Sequence, residues 1–297
     1  MDNATRIEFA LETAIAAQEG AGGPPRLAAA IRHAVFPGGA RIRPHLCLAV
    51  AQACGEDDPA LAAAAGAAIE LLHCASLVHD DLPCFDNAAT RRGRPSVFAA
   101  HGERLAVLAG DALIVTAFQS LAQAAGLSPA RLPALMQTIA EGVGAPSGIV
   151  AGQAWECEPR VALTQYQRAK TGALFVAATT AGAQAAGAAA DPWRALGEWL
   201  GEAYQVADDI RDVAADPAVL GKPGGQDVAH GRPSSAAELG LCGAIQYFDQ
   251  LIGFASAAIP SCRGSAQLRT LVRLEAKRLV PVEMTRLLAP SVTRIAA

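Results

Sequence analysis

Gln205, Asp208, Asp209 and Asp212 fall at i, i+3, i+4 and i+7 of the stretch Gln205-Val206-Ala207-Asp208-Asp209-Ile210-Arg211-Asp212. On a helix they form one stripe. Three carboxylates and an amide on one face repel one another, and a cation over them relieves that repulsion. Oxygen ligands without His or Cys suit Mg²⁺, which takes one or two carboxylates and shares its other positions with substrate phosphates. A solvated acidic face has the same spacing, so a second feature must separate the two readings.

That feature lies about 130 residues upstream, in His73-Cys74-Ala75-Ser76-Leu77-Val78-His79-Asp80-Asp81-Leu82-Pro83-Cys84-Phe85-Asp86. His73, Ser76 and Asp80 share a helical face, whereas Asp86 would point about 240° round a regular helix from Asp80. Pro83 removes an N–H and clashes with the preceding turn, so the helix ends or bends there. That irregularity is able to return Asp86 to the side of Asp80. Arg91 and Arg92 follow within reach, placing guanidinium forks for phosphate oxygens after acids for a metal.

Between the two acidic segments lies Lys170-Thr171-Gly172 on an apolar helix, where a lysine needs an anionic partner. After the second comes Gly221-Lys222-Pro223-Gly224-Gly225, a loop able to close over phosphates. Near the N-terminus, Gly38-Gly39-Ala40-Arg41-Ile42-Arg43-Pro44 puts two arginines beside a helix start, another set of parts for an anion. One acidic bank would be a metal site; two banks with cations between them form a cavity for a diphosphate.

The elements that must position these residues are helices. Apolar periodicity predicts them over about 4–19, 26–35, 44–54, 59–82, 101–125, 129–144, 164–189, 192–215, 234–259 and 264–287, separated by Gly, Pro and Asp breaks. Strand alternation, a βαβ rhythm and internal repeats are not found. The chain reads as one all-α domain over 1–297, a helical bundle around a central cavity.

Composition agrees. Of the 297 residues 52% are hydrophobic and 18% charged, which favours a large core over disorder. A net charge of −4 offers no basic footprint for nucleic acid. Seven unpatterned cysteines read as reduced thiols used as small hydrophobes. No basic, then apolar, leader is seen, and the membrane-like run Leu61–His79 contains Glu70, His73 and His79. The expectation is a soluble, cytoplasmic protein without a membrane span.

This ordered set resembles the trans-isoprenyl diphosphate synthases, or polyprenyl synthetases, from about residue 30 to 260. Asp80-Asp81-Leu82-Pro83-Cys84-Phe85-Asp86 with Arg91-Arg92-Gly93 resembles their first aspartate-rich motif, and Asp208-Asp209-Ile210-Arg211-Asp212 the second. The stretches Phe36–Pro44 and Ala151-Gly152-Gln153-Ala154-Trp155-Glu156 are similar to bacterial geranylgeranyl diphosphate synthases of carotenoid and bacteriochlorophyll pathways. The resemblance implies an isoprenoid-synthase bundle, a homodimer, and Mg²⁺-dependent head-to-tail condensation of isopentenyl diphosphate with C5 to C15 allylic diphosphates.

It further implies that Asp80, Asp86 and Asp208 hold a three-Mg²⁺ cluster on the allylic diphosphate, assisted by Asp81, Asp209 and Asp212. Arg91, Lys170 and Lys222 would grip that diphosphate, and Arg43, His73 and Arg92 would hold isopentenyl diphosphate. Thr171 and Gln205 would face the allylic cation. Ala40 stands where the family usually has a lysine, with Arg41 next to it as a candidate replacement. Arg232 stands in place of a second lysine beyond the loop.

Ala75 and Ser76 lie one turn deeper than Asp80. In the family a large aromatic there is the floor that stops growth at C15. Small residues leave that floor open, toward Leu71 and Leu72, and a C20 product is expected. The alternatives are a farnesyl diphosphate synthase and a non-catalytic regulatory subunit, which usually lacks one acidic bank. A terpene cyclase would not need Arg43, His73 and Arg92. A head-to-head synthase would show DxxxD motifs, and a purely structural helical protein leaves the acidic duplication without a reason.

Overall fold

The computed structural model describes residues 1–20, 22–124, 126, 128–160, 163–214 and 235–280. The chain there is helical apart from turns and one short hairpin. It opens with α1 (Asn3–Ala16), capped by the Asp2 carboxylate on Thr5 N–H, α2 (Pro25–Val35) and α3 (Ile42–Cys54). Next come α4 (Pro59–Asp80), α5 (Val97–His101) and α6 (Glu103–Ala124). The middle contains α7 (Leu132–Val143), α8 (Ile149–Ala154), α9 (Leu163–Gln167), a π-helical turn (Arg168–Gly172) and α10 (Ala173–Ala185). Three long helices follow: α11 (Arg194–Ala214), α12 (Ser235–Ala258), kinked at Gly240, and α13 (Ser265–Leu279).

α4 and α10 are the core. Up to Ile69 α4 is apolar on all sides, and it packs against α3, α6 and α10; α10 packs against α3, α7 and α11. A helix without a polar face has nowhere to go but the interior. Small side chains from Ala177 to Ala185 let the neighbours of α10 approach closely. α4 and α6 are each long and apolar enough to cross a membrane, but most of α4 is enclosed by protein. α6 instead turns Val107, Leu108 and Val115 outward.

Several boundaries differ from the periodic expectation, each for a local reason. The helix expected over 101–125 is α6, and just before it, in a stretch expected to be loop, lies the short α5, capped by Ser96 and ended by Gly102 at φ 89°. The helix expected over 164–189 is broken by the π turn. α8 falls in a stretch expected to be loop, being too short to show a period. A two-residue hairpin, β1 (Thr90–Arg91) against β2 (Arg94–Pro95), was hidden for the same reason; its turn puts Arg92 and Gly93 at φ 55° and 72°. Lys222, Arg232 and the expected helix end beyond 280 lie outside the described residues.

Candidate active site

The two acidic segments occupy the ends of α4 and α11, and the π turn joins them. Lys170 Nζ lies 3.5 Å from Asp80 Oδ1 on α4. The next residue, Thr171, donates through Oγ1 to Gln205 Oε1 on α11 at 3.0 Å. Successive residues of one turn therefore face opposite banks, which a widened helical turn permits.

Two close backbone approaches hold that turn. A Cβ on Gly152 of α8 would come 2.4 Å from Lys170 N and 2.5 Å from its Cα. On the other side, a Cβ on Gly201 of α11 would come 2.7 Å from Gly172 Cα. Only glycine admits such contacts.

On the first bank the chain folds back after Pro83. Asp86 N–H donates to the Asp80 carbonyl at 3.0 Å and Ala88 N–H to the Asp81 carbonyl at 3.1 Å. The negative charges of Asp80 and Asp86 thereby sit close enough that Asp86 adds to the cost of ionising Asp80. Burial is the larger cause, and together they raise the Asp80 pKa even though Lys170 opposes them. Lys170 titrates above the usual lysine range: burial works against its charge, but Asp80, Tyr166 and Glu156 more than offset it. The pair thus settles the ammonium but not the carboxylate. Asp80 Oδ1 is buried without a hydrogen bond, and so is Asp212 Oδ1 on the second bank.

Asp81 and Asp209 stand differently from their neighbours. Asp81 is 2% exposed and receives Arg91 Nε at 3.0 Å and its terminal nitrogen. Burial raises its pKa in spite of that partner. Asp209, 1% exposed, accepts Gln205 Nε2 on Oδ1 at 3.1 Å and the Ser235 backbone N–H on Oδ2 at 2.7 Å. It anchors the start of α12 and fixes the Gln205 amide. Asp81 and Asp209 thus hold a guanidinium, an amide and a backbone N–H in place. An all-oxygen set with two orphaned buried carboxylate oxygens fits Mg²⁺. Asp208 is bonded by Arg211 one turn on, whose guanidinium lies 5.8 Å from the Tyr204 ring centre.

The candidates for the second diphosphate also gather. Arg43 is 8% exposed, its guanidinium 4.6 Å from the Phe175 ring centre and 5.4 Å from that of Tyr204, and its Nε has no partner. Arg92 reaches back over Gly39, where a Cβ would lie 3.0 Å from its Nε. Burial, with the positive charges of Arg43 and Arg92, holds the His73 imidazole well below the usual histidine range. A neutral ring among arginines remains able to donate one hydrogen bond to an anion.

Arg41 does not join them. It is 6% exposed and donates to Glu70 at 2.7 Å, Glu8 at 2.9 Å and the Val35 carbonyl at 2.8 Å. This buried network holds its backbone at φ 51°, a conformation unfavourable for a side-chain-bearing residue. These partners count against its replacing the lysine missing at Ala40.

Sequence reasoning also missed Glu156, which accepts Lys170 Nζ at 2.6 Å, Tyr166 Oη at 2.6 Å and Gln153 Nε2 at 3.1 Å. Its signals were the Gln153–Glu156 i,i+3 spacing and its place in the Ala151–Glu156 stretch that carries the family resemblance.

Ser76, one turn below Asp80, ties its hydroxyl to the His73 carbonyl at 2.8 Å, and Ala75 is 1% exposed. Neither projects a bulky group.

The sequence model of the polyprenyl synthetase family matches residues 24–246, spanning both acidic banks. The geranylgeranyl diphosphate synthase of Cereibacter sphaeroides is 54% identical over 279 residues, 94% of this chain and 97% of that protein. That of Rhodobacter capsulatus is 49% identical, covering 93% and 96%. Among solved structures, geranyltransferase from Helicobacter pylori complexed with magnesium and isoprenyl diphosphate superposes with TM-score 0.77 at 29% identity, covering 94% of this chain and 98% of that one. With two acidic helices converging on one cationic turn and a match that runs through all three, the chain belongs to the polyprenyl synthetase family.

Proposed function

We propose that the protein is a Mg²⁺-dependent geranylgeranyl diphosphate synthase, condensing isopentenyl diphosphate with C5 to C15 allylic diphosphates and releasing pyrophosphate. The observation that carries the reading is the convergence of Asp80 and Gln205 on the consecutive residues Lys170 and Thr171. This supports a reading in which Lys170 grips the diphosphate while Thr171 and Gln205 face the allylic cation.

Lys170 and Arg91 bind the allylic diphosphate, with Lys222 as a third cation from sequence. Arg43, His73 and Arg92 hold isopentenyl diphosphate so that its double bond faces C1 of the allylic chain. Asp80, Asp86, Asp208 and Asp212 would hold Mg²⁺, which would supply charge neutralisation for the leaving pyrophosphate. Asp209 fixes the Gln205 amide through Nε2, so that its oxygen is aligned with Thr171 Oγ1. That negative dipole end stabilises positive charge as it develops on the allylic carbon. The double bond attacks C1, and the departed pyrophosphate takes the proton lost in forming the new alkene. The apolar wall of the bundle excludes water from the cation.

The small side chains of Ala75 and Ser76 support a C20 product over C15. A cytoplasmic homodimer serving a carotenoid-type pathway completes the reading, with the outward apolar stripe Val107, Leu108 and Val115 on α6 as the interface. Purified protein incubated with Mg²⁺, isopentenyl diphosphate and each allylic diphosphate in turn tests it. A C20 product is expected. C15 alone would overturn the open floor, and no condensation would overturn the enzyme, favouring the regulatory subunit.

A further inference from the structure

Glu156 has no part in the roles above, yet the ammonium of the π turn rests on it. We infer that Glu156, backed by Tyr166 and Gln153, is a positioning residue that withholds Lys170 from Asp80 and so keeps that carboxylate open for metal and diphosphate. This rests on the proposed function of the same site.

An ammonium has three donors and a flexible stem, so Lys170 is able to bridge two carboxylates evenly. It does not. Nζ is 2.6 Å from Glu156 Oε1 but 3.5 Å from Asp80 Oδ1, beyond hydrogen-bond reach, and Asp80 Oδ1 stays buried without any hydrogen bond. The asymmetry is built from several sides. Tyr166 donates to the same Glu156 oxygen at 2.6 Å while its ring centre lies 5.7 Å from the ammonium. Gln153 occupies Oε2 at 3.1 Å. Gly152, one residue earlier on α8, sets the height of the Lys170 backbone. With both oxygens of Glu156 engaged by these donors, its chemistry is that of a counter-charge rather than a metal ligand.

Without that counter-charge the ammonium moves onto Asp80. A metal would then have to displace a cation from the ligand it needs. Closing the pair to a direct hydrogen bond, at the effective dielectric of a partly buried site, corresponds to about a tenfold change in an equilibrium constant.

The test is a double-mutant cycle on binding of Mg²⁺ with inorganic pyrophosphate, read by calorimetry on the full chain. Glu156→Gln keeps the shape and one acceptor oxygen for Lys170 and Tyr166, turns the oxygen facing Gln153 into a donor, removes the charge, and should weaken binding about tenfold. Lys170→Met should weaken it through the lost grip. The double variant should bind like Lys170→Met alone, because no ammonium remains to be restrained. Tyr166→Phe should give a smaller loss that likewise vanishes on the Lys170→Met background. Wild-type affinity in Glu156→Gln, or losses that multiply in the double variant, would overturn the inference while leaving the function standing. A wild-type chain that does not bind Mg²⁺ with pyrophosphate would overturn both.

Discussion

Gly152→Ala tests the site through a residue that touches no substrate. Its new Cβ would lie 2.4 Å from Lys170 N, 2.5 Å from Lys170 Cα and 2.8 Å from Lys170 Cβ, where ordinary contact is 3.4–4 Å. Two of those atoms are backbone, so no side chain is free to rotate away. α8 and the π turn must separate by roughly 1 Å. That displacement exceeds the 0.9 Å difference (3.5 − 2.6) by which Lys170 distinguishes Asp80 from Glu156. It also pulls Thr171 away from Gln205. Overpacking of this kind costs about 1–3 kcal/mol of stability, and a 1 Å misplacement of a catalytic group costs up to roughly 100-fold in rate. Steady-state kinetics with thermal melting should show kcat/KM down by about 10- to 100-fold and Tm lowered by a few degrees. Gly253→Ala is the control. Its Cβ meets nothing within 4 Å at an exposed position of α12, so it should gain up to about 1 kcal/mol from helix propensity and keep its kinetics. A Gly152→Ala enzyme with wild-type kcat/KM would refute the claim that backbone contact sets the position of Lys170.

Asp208→Ala and Asp209→Ala should separate cleanly. Asp208, with its side chain 41% exposed, should lose at least about 100-fold in turnover with little change in melting; Asp209→Ala strands Gln205 Nε2 and the Ser235 N–H, and denaturant titration should find it about 1–3 kcal/mol less stable. Arg41→Ala leaves the buried Glu70 charge unpaired and should cost about 3–5 kcal/mol, while KM for isopentenyl diphosphate stays put; a raised KM at full stability would restore Arg41 as a substrate cation. Ser76→Phe should shorten the product from C20 to C15 by chromatography of the dephosphorylated alcohols, and unchanged C20 would move the floor elsewhere. The raised Asp80 pKa has a definite sign. The folded chain holds that proton at higher pH than the unfolded one, so ligand-free stability falls as pH rises through the gap. Metal requires the ionised form, so affinity for Mg²⁺ with pyrophosphate should decline on acidification from above the usual carboxylate range. Asp80→Asn should abolish that decline along with the binding itself, and a decline confined to the ordinary carboxylate range would contradict the shift.

What the sequence disclosed and what it concealed divide along one physical line. Periodicity reports which face of a helix is apolar, so the long helices and the stripe through Gln205, Asp208, Asp209 and Asp212 were readable. Chain-breaking residues report their own effect, so the return of Asp86 after Pro83 was readable too. Packing of one element against another leaves no local trace. The π turn under Lys170, the approach of Gly152, and the pairing of Glu156 with a residue fourteen positions on depend on which helices meet. Arg41 shows the same limit in reverse. Next to Gly38-Gly39-Ala40 it has the type and place of an anion ligand, and only burial against Glu8 and Glu70 reveals it as part of the scaffold.

Those pairings also bear on the proposed binding of Mg²⁺ with a diphosphate. Arg91 is committed to Asp81, Lys170 to Glu156 and Arg211 to Asp208, while Asp209 is satisfied by an amide and a backbone N–H. After this internal neutralisation, one buried carboxylate oxygen on each bank, in Asp80 and Asp212, still lacks a hydrogen bond. A single orphan would be a local defect in packing. One on each bank, with both banks converging on the same π turn, fits the proposed ligand, which carries positive charge to both sides. The cations released from their carboxylates as such a ligand arrives are then free for the oxygens of the diphosphate it brings. The ligand-free chain therefore carries a destabilising term that binding removes. Stabilisation by Mg²⁺ with pyrophosphate should accordingly exceed that by either component alone, because each alone answers only half of the charge pattern.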